Sequence, residues 1–211
     1  MPKTGLISMI ASYICSIERR IHCFTGQVWV NKKNLPRLFY KNVDKLIVLL
    51  SSRILVDGSG QREFLISQKV VAPSKIQTIW NGSIAGVDFK KIHLNTLDKN
   101  ILRQSLGFSK EDVIILFMSR MTREKGFMEV LNAYKRLSQI SEKYKLLLIG
   151  PDDENLVSNC NLLVDMNVVH LNYVNNPSKY MQISDIFVSP SYREGLPMTL
   201  LEALSYNSKA F

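Results

Sequence analysis

Two carboxylates, Glu194 and Glu202, stand eight residues apart with Gly195, Leu196, Pro197, Met198 and Thr199 between them. Ile186 to Val188 reads as a short apolar strand, Ser189 to Gly195 as a Pro- and Gly-containing loop, and Met198 to Leu204 as the opening of a helix with a buried face. Pro197 suits the first helical position, because its missing N–H needs no partner there. A strand–loop–helix start presents free backbone N–H groups and a positive dipole end, where a phosphate binds readily. A carboxylate beside a phosphate repels it, so Glu194 and Glu202 are better suited to accepting hydrogen bonds from sugar hydroxyls. Amides for phosphate and acids for hydroxyls are what a nucleotide-sugar requires. Spacing alone leaves the plainer alternative, two solvated glutamates, open.

A second constellation lies upstream. Arg120 and Lys125 sit in the polar loop 119–126, after the apolar run Val113 to Met118 and before a helix from Phe127 to Ile140. In open parallel sheets ligands bind at the carboxyl ends of the strands, so loops 119–126 and 189–197 are expected to face one crevice. Two cations there would neutralise a diphosphate and stabilise it as it departs. The alternative for this pair is a solvated loop.

The stretch from Glu194 through Gly195, Leu196, Pro197, Met198 and Thr199 to Glu202 and Ala203, preceded by Ser189 to Arg193, resembles the E-x7-E signature of the retaining family 4 glycosyltransferases, which have the GT-B fold. Arg120, Lys125 and Gly126 are similar to that family's G-R-x-x-x-x-K-G motif, with Ser119 where glycine is usual. The resemblance implies that Arg120 and Lys125 bind the donor diphosphate and that Glu202 holds the ribose hydroxyls. It further implies that Glu194 contacts the transferred sugar, with the main chain of Gly195 to Thr199 around sugar and phosphates. Arg20 to Trp29, which includes Thr25 and Gly26, resembles the family's acceptor-side loop, and Asn81-Gly82 with Gly86-Val87-Asp88 looks like its passage into the second domain. The expected reaction moves a sugar with retention from a nucleotide-sugar, a UDP-sugar, to a lipid-linked or saccharide acceptor in cell-surface polysaccharide or lipopolysaccharide assembly. The resemblance implies no metal and no cofactor. GT-B epimerases share the architecture, but the E-x7-E wording points away from them.

The resemblance covers the middle of a usual member. A strand, a glycine-rich loop and an H-x-H-type histidine would precede a segment like Pro2 to Leu6, and closing strands and a helix would follow Phe211. The chain is therefore expected to be a fragment. That keeps a second reading open, a truncated and non-catalytic nucleotide-sugar-binding remnant.

Several elements must position these residues. Helices are expected at Leu6 to Ile17, Leu35 to Ser51, Ser59 to Lys69 with Ser59 as cap, Asp98 to Leu106 with Gly107 after it, Asp152 to Met166 and Ser178 to Ser184. Strands are expected at Arg20 to Phe24, Ile54 to Val56, Lys75 to Trp80, Lys145 to Ile149 and Val168 to Leu171. The alternation argues for an α/β chain with two Rossmann-like, doubly wound parallel-sheet domains, both incomplete. Their expected bounds are residues 1–83 on the acceptor side, a linker at 84–96, and a nucleotide-sugar-binding domain at 97–211.

A hydrophobic content of 46% and 21% charged residues fit a globular protein. The net charge of +9 sits wholly in the first half: residues 1–95 hold 14 Lys/Arg against five Asp/Glu, whereas residues 96–211 hold 13 of each. Lys33, Arg37, Lys41 and Lys45 recur at four-residue spacing beside Trp29, Phe39 and Tyr40, and suggest a helix lying on an anionic membrane surface. Leu35, Leu38, Phe39, Leu46 and Leu49 are taken as that helix's periodic apolar positions. A nucleic-acid partner is not expected, since no RNA- or DNA-binding pattern accompanies the charge. Leu6 to Ile17 is too short to span a bilayer and suits a largely buried helix. The expected location is cytoplasmic, peripheral on the inner face of the plasma membrane. Cys15, Cys23 and Cys160 are expected to be buried thiols. His22 reads as a hydrogen-bonded strand histidine, with contact to substrate as the alternative, and His93 and His170 are expected to be structural. Asp152 and Asp153 read as the acidic start of a helix rather than a metal site.

Overall fold

The computed structural model describes residues 2–80, 82, 86–87, 94–160, 167–206 and 209–210. The expected Asn81, Asp88 and His93, and most of the expected linker, lie outside them. The chain divides into two compact units: Met1–Gly86 together with Arg193–Pro197, and Val87–Tyr192 together with Met198–Phe211.

The second unit is built on β4 (Val113–Met118), β5 (Tyr144–Ile149), β6 (Val168–Leu171), β7 (Ile186–Val188) and a short β8 (Lys209–Ala210). All neighbours pair in parallel, in the order β6-β5-β4-β7-β8. Strand β4 is central, and five of its six residues are buried, which explains why it reads as an unbroken apolar run. One of its faces packs Ile115 and Phe117 with Phe127, Leu131 and Tyr134 of α5 (Phe127–Ile140); the other packs Ile114 and Leu116 with Met181 and Ile183 of α7 (Pro177–Ile183). Helix α4 (Thr96–Ser105) is capped by the Asn95 side chain, which accepts from the Asp98 N–H at 2.8 Å. Its end carries Gly107 at φ 79°. The helix expected over Asp152 to Met166 is described only at α6 (Leu156–Asn159), since residues 161–166 are outside the described set. Asp152 lies ahead of this turn and caps it, accepting from Leu156 N–H at 2.7 Å and Val157 N–H at 3.0 Å. Helix α8 (Met198–Ser205) starts one residue after Pro197 rather than with it.

The first unit holds a parallel sheet ordered β1 (Ile21–Phe24), β2 (Arg53–Val56), β3 (Ile76–Thr78), with α1 (Pro2–Ile14), α2 (Asn34–Leu50) and α3 (Ser59–Ser67). Its core gathers Phe24, Trp29, Ile47, Val48, Ile54, Val56 and Leu65. Three expectations change here. Helix α1 is not largely buried: of its apolar residues Met9 is buried, while Ile7, Ile10, Tyr13 and Ile14 are exposed. On α2 the core stripe is Val43, Ile47 and Val48, and Leu35, Leu38, Phe39, Leu46 and Leu49 all face outward. The cap of α3 is Gly58, with Ser59 already inside the helix. The thiols also differ from expectation, because Cys15 is exposed and Cys23 and Cys160 are half-buried.

Candidate functional site

In the second unit the loops after β4, β5 and β7 all emerge at the carboxyl edge of one parallel sheet. Loop 119–126 is tied to both neighbours. Ser119 N–H donates to Ile149 O at 3.0 Å and Met121 N–H to Pro151 O at 2.8 Å. A methyl on Gly150 would stand 2.0 Å from Ser119 O, so the close approach on this side rests on the glycine at 150 and tolerates a serine at 119. Toward β7, Tyr192 N–H donates to Glu124 O at 3.0 Å, and the Tyr192 hydroxyl donates to Glu129 Oε1 at 2.5 Å. Gly126 opens α5 at φ 78°, and a methyl there would lie 2.2 Å from Pro190 O. Left-handed geometry and close backbone approach both demand glycine.

Arg120 and Lys125 thus occupy one loop whose shape is fixed from two sides. Arg120 Nη1 lies 3.6 Å from Asp153 Oδ2, with both side chains about half exposed. Glu202 sits on the second turn of α8, the helix that follows the β7 loop in the chain. The expected helix-start role of the acidic pair divides: Asp152 caps α6 and Asp153 faces Arg120. His170 directs Nε2 at Gly150 O, 2.8 Å away, in the same fixed turn.

Glu194, Gly195, Leu196 and Pro197 cluster with the first unit. There Gly195 lies against Thr25 and Asp57, and Gly26 against Arg193 and Glu194. Thr25 and Gly26, expected on the acceptor side, therefore meet the segment that carries Glu194. Nothing in the local composition of residues 193–197 signals this association.

Trp29, expected on the acceptor or membrane side, is instead wholly buried. Its indole N–H donates to Asp44 Oδ2 at 2.7 Å, and its ring stacks on Phe64 with centroids 5.4 Å apart. Burial pushes the Asp44 carboxyl up to about 6, with the Trp29 hydrogen bond opposing. The basic stripe splits accordingly. Arg37 and Lys41 lie over the Trp29 ring, 5.7 and 5.3 Å from its centroid; Lys41 is half-buried there, while Arg37, like Lys33 and Lys45, stays exposed. Burial and then the charges of Lys45 and Arg37 hold the Lys41 ammonium below its usual range. Burial likewise lowers His22, which packs edge-on against Phe24. Among the described residues no group of three or more His, Cys, Asp or Glu is placed to hold a metal ion, and no helix is long and apolar enough to cross a membrane.

Residues 98–208 match the family described as Glycosyl transferases group 1. The chain is 26% identical over 207 residues to the capsular polysaccharide biosynthesis glycosyltransferase CapM of Staphylococcus aureus, covering 96% of this chain and 54% of that protein. It is 25% identical over 211 residues to the UDP-Gal:alpha-D-GlcNAc-diphosphoundecaprenol alpha-1,3-galactosyltransferase of Escherichia coli, covering 96% and 53%. The chain thus spans about half the length of the curated relatives it matches. Among solved structures, Anabaena Alr3699/HepE in complex with UDP-glucose superposes with a TM-score of 0.80 at 18% identity, over 100% of this chain and 57% of that one. The likeness shows the fold, GT-B.

Proposed function

The chain belongs to the glycosyl transferases group 1 family, and on that premise we propose that its second unit binds the diphosphate and ribose of a UDP-sugar. The observation that carries this reading is the rigid loop of Arg120 and Lys125 at the carboxyl edge of β4, sewn to the β7 loop that leads toward α8 and Glu202. The two cations meet the diphosphate, Glu202 the ribose hydroxyls and Glu194 the transferred sugar, with main-chain groups of Gly195 to Thr199 around them. Catalysis in the whole enzyme comes from positioning donor and acceptor and from offsetting the charge that develops on the departing diphosphate. It invokes no metal and no cofactor, and transfer proceeds with retention. The names of the relatives support a lipid-linked or saccharide acceptor in bacterial surface-polysaccharide assembly.

The outer face of α2 supports a peripheral position on the anionic inner leaflet. It carries an exposed stripe of Leu35, Leu38, Phe39, Leu46 and Leu49 with Lys45 at its side, and Lys33 just ahead of its start. Apolar residues for the acyl boundary beside cations for headgroups are the two halves of interfacial binding. Sedimentation with anionic against neutral vesicles tests this. Preference for the anionic vesicles that fades with salt is expected; equal binding to both removes the membrane from the reading.

Titration calorimetry of the chain with UDP-glucose, paired with a product assay, tests the donor reading. Binding is expected, and binding without turnover favours the binding-only alternative. Absence of binding to any UDP-sugar contradicts the proposal.

A further inference from the structure

The segment Arg193–Pro197 packs with the first unit, although its chain neighbours on both sides belong to the second. It is seated on the loops that follow the three strands of the first sheet. A methyl on Gly195 would stand 2.9 Å from Asp57 Oδ2 and 3.0 Å from the Thr25 carbonyl carbon. A methyl on Gly82 would meet Leu196 Cδ2 at 3.3 Å and Asp57 O at 2.5 Å. A methyl on Gly26, at φ 122°, would lie in ordinary contact, 3.7 Å, with Arg193 Cγ, the Glu194 carbonyl carbon and Gly195 N. Thr25, Gly26, Asp57 and Gly82 thus form a cradle for the backbone that bears Glu194.

Beneath this cradle lies a side chain with no part in the sheet, which in one amide orientation accepts from the Asp57 N–H just ahead of α3 at 3.4 Å. Gln61 of α3 is 9% exposed. With its amide turned so that the oxygen faces the Gly26 N–H, its nitrogen donates to Phe24 O at 3.1 Å. Its oxygen accepts from Gly26 N–H at 2.7 Å and from Gln27 Nε2 at 3.2 Å. Gln27 is itself 3% exposed. A buried amide costs free energy unless its donors and acceptors are met, and an aliphatic side chain would fill the same space without that demand. All three of these bonds run to the four residues 24–27.

We propose that Gln61 is a positioning residue. By fixing the turn Phe24–Gln27 it holds the Thr25 and Gly26 side of the cradle, and through Gly195 it sets where the Glu194 carboxylate stands against the transferred sugar. The inference rests on the reading that Glu194 contacts that sugar, and it assigns to the acceptor-side loop a second duty on the donor.

The test compares UDP with UDP-glucose by calorimetry on the full chain. UDP reports the nucleotide part alone, and the ratio of the two affinities reports the sugar. Gln61→Leu is expected to lower the UDP-glucose preference by about fivefold, the worth of one hydrogen bond, with UDP affinity within about twofold. Gln61→Glu keeps the acceptor for Gly26 but loses the donor to Phe24, and is expected to fall between. Gly195→Ala lies outside the core and pushes the segment off Asp57 and Thr25, so it should show the same loss even where Gln61→Leu fails to fold. A merely structural Gln61 would weaken UDP and UDP-glucose together. If Glu194→Gln lowers the preference while Gln61→Leu and Gly195→Ala leave it unchanged, the positioning role is overturned. If Gln61→Leu and Gly195→Ala lower it while Glu194→Gln does not, the cradle stands and the role given to Glu194 falls.

Discussion

At position 126 a methyl group would meet the carbonyl oxygen of Pro190 at 2.2 Å, in a turn whose φ of 78° already disfavours any side chain. Gly126→Ala is therefore expected to cost at least about 1–2 kcal/mol from backbone conformation alone, before the displaced contact is counted. Chemical denaturation checks the stability, and calorimetry should show weaker UDP binding, since the loop it deforms carries Arg120 and Lys125. Asp153 makes the opposite case. Its exposed pair with Arg120 is worth about 1 kcal/mol at most. Asp153→Asn should therefore leave stability nearly unchanged and strengthen UDP binding by no more than about fivefold, because one acceptor competing with the diphosphate is gone. Asp44 carries the pH dependence. Its folded carboxyl is raised from an ordinary 3.8 to about 6, so between those values the folded chain holds a proton that the unfolded chain has released. Stability of the first unit is then greatest below about pH 4, falls as pH rises to about 6 and levels off above. The total is roughly 2–3 kcal/mol, and Asp44→Asn should remove the fall. Urea unfolding followed by tryptophan fluorescence reads this directly, since Trp29 and Trp80 both lie in the first unit.

At the scale of elements, α2 shows where sequence is informative and where it is silent. Its length and period were legible, and the helix runs from Asn34 to Leu50. Which stripe meets the sheet was not, because α2 carries two apolar stripes and periodicity does not say which one is covered. The smaller one, Val43, Ile47 and Val48, is the core. Ile47→Ala should cost about 2–4 kcal/mol, whereas Leu46→Ala, on the outer face, should cost under about 1 kcal/mol; urea unfolding of the two variants separates them. Helix α1 misled for a related reason, since apolar residues all round its axis suggested burial that the described residues do not provide. By contrast β4, β6, β7 and α5 fall where the sequence places them, each bounded by a sharp change from apolar run to polar loop. Trp29 sits in a loop rich in polar neighbours, and its burial depends on Asp44, fifteen residues away, reaching its indole N–H. No local pattern announces that bond.

For the whole molecule, the uneven charge is the feature that composition exposed most clearly. All of the net +9 lies before residue 96, in the half that carries the outer face of α2. Anionic vesicles should therefore recruit the chain. Reversing Lys45 with Lys45→Glu should weaken recruitment severalfold, at about 1 kcal/mol per cation near the surface, and leave UDP binding as it was. The family motif was readable because phosphate and hydroxyl recognition need particular residue types at fixed spacing. The grouping of residues 193–197 with the first unit was not, because it depends on a methyl-free contact between Gly195 and loops more than a hundred residues upstream. The central claim is that Arg120 and Lys125 bind a nucleotide-sugar's diphosphate. Calorimetry with UDP on the Arg120→Ala/Lys125→Ala chain tests it most directly. A loss of at least about a hundredfold in affinity with the fold intact is predicted, two charge-assisted contacts being removed; UDP binding unchanged by that double substitution would contradict the account.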